Sequence, residues 1–210
     1  MKLYLIRHGE TDYTIQKRYC GFSNPPLNQL GKKSVESLNT ILPITIFHKI
    51  IASDLQRTID TANILFPNYN IIQDRNFREM NFGDFEGYDY ISLSEKYPDL
   101  YQNWIYDPMG VEVPNAESFI DFKERILNAF PNIFCANEDC NVVLVTHSGV
   151  IRIIICEMMV KIGKLKPDYS LEQMWSVKIE PASLSIIDSP DTNNPKIIGI
   201  NLKIKKDEEL

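Results

Sequence analysis

Three short apolar runs, each cut off by a polar cluster, leave few folds open to this chain. Lys2 to Ile6 ends at Arg7-His8-Gly9, Lys49 to Ala52 at Ser53-Asp54-Leu55-Gln56-Arg57, and Asn141 to Thr146 at His147-Ser148-Gly149. Runs of strand length that stay apolar without alternating belong to strands covered on both faces. Segments of helical spacing fall between them. Leu27, Leu30, Val35, Leu38 and Leu42 predict one helix, with Asn28 as its cap. Leu55, Ile59, Ala62 and Leu65 predict a second, capped by Ser53 or Asp54 and stopped at Pro67. Phe119, Phe122, Ile126 and Phe130 predict a third, capped near Asn115 and ended by Pro131, and a nearly all-apolar helix opens after His147. Further strands are expected at 70–72, 176–179, 183–187 and 196–204. Strands alternating with helices define an α/β chain, here a three-layer αβα sandwich around a mainly parallel sheet. In such sheets ligands bind beyond the carboxyl ends of the strands. His8, His147, Arg7 and Arg57 should therefore share one rim.

The 210 residues suit a single domain, 1–210, with an irregular or helical lid at about 88–114. With 22 Lys+Arg against 28 Asp+Glu the net charge is −6, which disfavours nucleic acid and anionic membranes as partners. The longest apolar run, Val150 to Val160, is interrupted by Arg152 and Glu157 and is too short to span a bilayer. The N-terminus lacks the length of a signal h-region, and the closing KKDEEL reads as a charged tail. Cys20, Cys135, Cys140 and Cys156 contain no C-x-x-C pair, so all four are expected as thiols in a reduced, cytoplasmic, soluble protein. Three histidines are too few for a His-rich metal site.

Four blocks then carry a likeness. Leu5-Ile6-Arg7-His8-Gly9-Glu10-Thr11, Ser53-Asp54-Leu55-Gln56-Arg57-Thr58, Arg78-Glu79-Met80-Asn81-Phe82-Gly83 running on to Glu86-Gly87, and Val145-Thr146-His147-Ser148-Gly149 occur in this order. Together they resemble the signature of the histidine phosphatase, or phosphoglycerate mutase-like, superfamily. The resemblance implies His8 as a nucleophile that becomes phosphohistidine, with Arg7 and Arg57 gripping phosphoryl oxygens and His147 donating to them as charge builds. It implies Glu79 as the acid toward the leaving alkoxide and then the base toward water, with Glu86 the rival carboxylate. Thr14, Arg18, Cys20, Gly21, Arg78 and Ser148 are carried over as substrate-binding residues, Arg18 and Arg78 with plain surface charge as an equal reading. Two arginines and two histidines supply the positive charge, so no metal or other cofactor is implied.

The chain departs from the family pattern in two places. Thr14 stands where Asn is usual, and its hydroxyl is only a partial substitute for the amide. Ala116 stands where Gly is usual, a strained choice if φ there is positive. The short Gly87–Pro114 interval and the spacing around Tyr97-Pro98, Trp104 and Glu117-Ser118 look more like alpha-ribazole phosphatases than mutases. The expected activity is hydrolysis of a small phosphomonoester; its rivals are a phosphoglycerate mutase and an inactive member acting as a binding protein, which loss of any of the five catalytic residues would favour. A homodimer is a further expectation. His48 has no motif around it, and the aromatics Tyr88, Tyr90, Tyr97, Tyr101, Trp104 and Tyr106 read as lid packing.

Overall fold

The computed structural model describes residues 1–135 and 139–204; the KKDEEL tail lies outside the described residues. Six strands form one sheet: β1 (Lys2–Arg7), β2 (Lys49–Ala52), β3 (Ile71–Gln73), β4 (Asn141–Thr146), β5 (Ser183–Asp188) and β6 (Lys196–Leu202). Their order is β3-β2-β4-β1-β5-β6. Neighbours from β3 to β1 run parallel, while β5 lies antiparallel to both β1 and β6. Successive residues of β1 alternate between two cores. Leu3 and Leu5 join Val142, Leu144 and Ile51 on one face, and Tyr4 and Ile6 join Val143, Val145 and Ile50 on the other. Both faces are apolar because both are covered.

Among the described residues eight α-helices accompany the sheet: α1 (Asp12–Ile15), α2 (Gln29–Ser37), α3 (Gln56–Leu65), α4 (Tyr90–Lys96), α5 (Pro98–Tyr106), α6 (Phe119–Ala129), α7 (Ser148–Lys161) and α8 (Leu171–Ser176). Helices α2 and α3 cover one face through Val35, Ala62 and Leu65, and α6 and α7 cover the other through Phe122, Ile126 and Ile151. The largely apolar sequence of α7, interrupted by Arg152 and Glu157, follows from its burial between Gly149 and Met158 against β1, β6 and neighbouring helices. The 88–114 segment holds α4 and α5. They close a small third core of Phe85, Leu93, Tyr101, Trp104 and Val113, against which Tyr19, Phe82, Tyr88 and Tyr97 pack. Tyr106, at 92% exposure, and Tyr90 take no part in this packing.

Several local expectations need correction. Residues 176–179 form no strand. The Ser170–Gln173 capping box turns the chain into α8 instead. Beyond it the carbonyls of Val177 and Ile179 accept from the side chains of Arg152 and Arg7, where a strand would use a neighbouring backbone. Asn28 does cap α2, its side chain accepting from the Gly31 amide. The start of α3 has no side-chain cap, because Ser53 and Asp54 face other partners. Ser118, not a residue near Asn115, caps α6. The positive φ next to Ala116 falls on Asn115 (61°), a residue that tolerates it, so Ala116 is relieved of that strain. Cys135 and Cys140 are joined in a disulfide rather than standing as thiols. Cys135 lies beyond α6 and Cys140 just before β4, with Cα atoms 6.1 Å apart, a proximity that spacing alone does not reveal.

Candidate active site

The sheet register builds the site before any side chain is considered. Arg7 pairs with Thr146 across β1 and β4, and Ala52 pairs with Val145 across β2 and β4. His8, Ser53 and His147 are thus each the first residue beyond the carboxyl end of a strand. Two ladder-like bonds extend the pairing, from the His8 amide to Thr146 O (3.0 Å) and from the Ser53 amide to Val145 O (3.0 Å). The His8 and His147 rings meet edge to face with centroids 5.1 Å apart.

His8 is almost wholly buried, and its Nδ1–H donates to Gly9 O at 2.7 Å. That bond leaves the Nε2 lone pair free. Burial, then the nearby Arg57 and Arg7 charges, hold the His8 imidazole well below its ordinary pKa, so the ring is neutral at pH 7. The same causes, with His8 itself added, depress His147. Arg57 is fully buried and Arg7 half-buried. Burial brings Arg7 down to about 10, which still leaves it charged. Arg7 donates Nη1 to Ile179 O (2.7 Å), while Arg57 grips the 20–23 loop through Ser23 O (2.8 Å) and Gly21 O (2.8 Å). The Arg57 fork, expected on the phosphoryl group, is thus committed in large part to backbone. Three buried nitrogens lack any partner: Arg7 Nε, Arg57 Nε and His147 Nδ1. Buried N–H groups are rarely left so.

Glu79 and Glu86 are separated by their surroundings. Glu86 accepts from the amides of Phe22 (2.6 Å), Ser23 and Phe82 (3.3 Å), so both its oxygens hold loops together. Glu79 is 9% exposed and lines the same cleft as His8. It accepts from the Gly149 amide (3.0 Å) and the Ser148 hydroxyl (3.3 Å) at the start of α7, and from its own neighbour's amide at Met80 (3.1 Å). Ser148, expected as a substrate-binding residue, thus spends its hydroxyl on Glu79. A Cβ on Gly149 would lie 2.2 Å from Glu79 Oε1, so only glycine admits this approach.

The cleft holds about 420 Å³ and is lined by Arg7, His8 and Glu79 together with Thr14, Arg18, Cys20 and Ser148. Thr14 sits in a reciprocal cap with Thr11. Thr11 is fully buried, so its hydroxyl donates to Thr14 Oγ1 (3.0 Å) and Thr14's own proton is left for the cleft. Burial pushes the Cys20 thiol up to about 11, which keeps it protonated. Arg18 bonds Gly87 O (3.1 Å) at the cleft. Two expected ligands are not brought in as side chains. Gly21 serves through its carbonyl, and Arg78 forms a two-point ion pair with Asp54 (2.7 and 2.6 Å). Sequence reasoning missed Lys17, Tyr19, Phe82 and Tyr90 on the cleft wall, and Ser53 behind it, 3.0 Å from His147 Nε2. The Ser53-Asp54 pair offered the only signal, and it read equally well as a helix cap. His48 is far from all this, accepting from the Asn141 amide (3.1 Å).

A neutral imidazole with a free nitrogen, set among guanidiniums and beside a carboxyl group, defines a phosphoryl-transfer enzyme on an α/β sheet. The histidine phosphatase superfamily (branch 1) matches residues 3–202, and the chain belongs to that family. It is 29% identical over 191 residues, 90% of each chain, to an adenosylcobalamin/alpha-ribazole phosphatase of Salmonella typhimurium. It is 27% identical over 204 residues to phosphoserine phosphatase 1 of Hydrogenobacter thermophilus, covering 96% of this chain and 92% of that one. Among solved structures, the alpha-ribazole phosphatase from Shigella flexneri superposes with a TM-score of 0.84 at 25% identity, over 99% of this chain and 100% of its own. The protein is a phosphatase that hydrolyses a small phosphomonoester through a phosphohistidine intermediate. Among the described residues, no helix is long and apolar enough to cross a membrane.

Proposed function

We propose that His8 Nε2 attacks the phosphorus of a small phosphomonoester while Arg7, Arg57, His147 and Thr14 hold the phosphoryl oxygens. Glu79 gives its proton to the departing alkoxide, then takes one from the water that cleaves phosphohistidine. The observation that carries this reading is the free Nε2 of His8 in one cleft with Arg7 and Glu79. Three buried nitrogens without a partner among the described residues, on Arg7, Arg57 and His147, support it. Alpha-ribazole 5'-phosphate is the proposed substrate, as the wording of the relatives and the short 87–114 interval favour. An apolar hollow of about 90 Å³ adjoins Glu79, walled by Met80, Phe119, Phe122, Leu171 and Met174, and suits an apolar portion of the leaving group.

Purified protein should hydrolyse p-nitrophenyl phosphate without loss on addition of EDTA, and His8→Ala should abolish turnover. Undiminished hydrolysis by that variant would sink the mechanism. Across alpha-ribazole phosphate, phosphoserine, phosphoglycerates and sugar phosphates, alpha-ribazole phosphate should show the highest kcat/KM. We further propose one domain over 1–210, a cytoplasmic site of action, and a homodimer, to be checked by limited proteolysis, cell fractionation and light scattering respectively.

A further inference from the structure

We propose that Ser53 is a positioning residue that holds the His147 ring in its Nδ1–H tautomer, turning that proton toward the phosphoryl site. The proposal rests on the phosphoryl-transfer reading above. Ser53 and His147 are both fully buried, with Oγ and Nε2 3.0 Å apart. Either atom could donate across that distance, and the surroundings choose between them. Among the described residues, Ser53 Oγ has no other hydrogen-bond partner, and its backbone amide and carbonyl are engaged by Val145 O and Thr58 Oγ1. If Nε2–H donated to Ser53, the serine's own proton would be buried with no acceptor, and His147 Nδ1 would be a buried lone pair with no donor. The opposite assignment removes the first fault: the hydroxyl donates to the Nε2 lone pair. A neutral imidazole carries one proton, which must then sit on Nδ1. Burial and the surrounding Arg57, His8 and Arg7 keep the ring neutral.

Nδ1 is the nitrogen the protein leaves open, buried and without a partner. As an N–H it is a donor not yet committed, available to a phosphoryl oxygen whose charge grows in the transition state. His8, 5.1 Å away, is held in a tautomer suited to the opposite task. Its Nδ1–H is tied to the Gly9 carbonyl, so its open nitrogen is a lone pair. One neutral ring offers electrons and the other a proton, and a different oxygen selects each. The Ser53 hydroxyl does for His147 what the Gly9 carbonyl does for His8.

With three histidines in the chain, long-range ¹H–¹⁵N correlation spectra of histidine-labelled protein can read each tautomer, His48→Gln assisting assignment. At neutral pH the His147 spin system should show a protonated Nδ1 and an unprotonated Nε2. A wild-type ring protonated at Nε2 would overturn the proposal without recourse to any variant or substrate. Ser53→Ala should shift His147 toward the Nε2–H form and lower kcat about 10- to 100-fold. KM should hardly change, since the lost donor acts as charge develops. Ser53→Thr, which keeps the hydroxyl, should restore the tautomer and most of kcat. An unaltered tautomer or a wild-type kcat in Ser53→Ala would equally overturn it. A wild-type protein inert toward every ester, with tautomers as described, would uphold the hold of Ser53 on the ring and overturn the phosphatase reading instead.

Discussion

At the scale of single residues, what a group does in this site follows from which of its atoms are already occupied. Glu79 and Glu86 are seven positions apart in one sequence block, yet their roles diverge. Glu86 has both oxygens filled by loop amides, and those loops carry the carbonyls that Arg57 grips. Glu79 reaches the cleft. Glu79→Gln should therefore slow alkyl phosphates about 100-fold or more while p-nitrophenyl phosphate, whose leaving group needs little protonation, slows far less. Steady-state kinetics on paired aryl and alkyl esters would check this, and equal slowing of both would remove Glu79 from the acid role. Glu86→Gln should instead lower kcat/KM for both classes alike and destabilise the fold. Residue types and order were enough to place His8, Arg7 and His147 at neighbouring strand ends, because strand ends and short blocks are local. Ser53 and the loop-bound fork of Arg57 stayed hidden, since their partners lie 94 and 34 positions away.

At the scale of elements, helices α4 and α5 are tied to the cleft wall by aromatic contacts rather than by the sheet. Trp104 of α5 meets Tyr19, Phe82 and Phe85 edge-on at centroid distances of 5.6, 6.4 and 5.7 Å and stacks on Tyr101. Tyr19 and Phe82 also line the catalytic cleft. Trp104→Ala removes the centre of this cluster, a change of the kind that costs about 3–5 kcal/mol in a core. The loss should be local: amides of α4 and α5 should exchange faster while those of β1 and β4 keep their protection, as hydrogen-exchange mass spectrometry would show. If the sheet amides loosened equally, the third core would not be a separable unit. Turnover of bulky esters should suffer more than that of p-nitrophenyl phosphate.

For the molecule as a whole, a net charge of −6 coexists with a rim that gathers Arg7, Arg57 and two histidines. Burying that rim has a consequence for stability. Unfolded imidazoles titrate near pH 6.5, whereas His8 and His147 in the folded protein titrate well below that. Between those values the unfolded chain binds more protons, so stability is full above about pH 6.5 and falls as the pH drops toward the folded values. Each ring can contribute a slope of about 1.4 kcal/mol per pH unit in that window. Urea unfolding midpoints from pH 7.5 to 5 should therefore decline, and His147→Gln should decline less steeply than wild type. Equal slopes would mean that the His147 ring is not held neutral by the fold.

Much of this was present in the order of residues alone. Apolar runs of strand length, helical spacing between them and charged blocks at the strand ends are local patterns, and they specified an α/β sheet with a catalytic rim. Hydrogen-bond allegiance and disulfide pairing are not local. Asp54 read as a cap but binds Arg78, 176–179 read as a strand but serves side chains, and Cys135 and Cys140 read as thiols but pair. Each of these outcomes depends on which polar atoms the folded core shuts away from water, since every such atom must find a partner or await one. Among the described residues three have found none, on Arg7, Arg57 and His147.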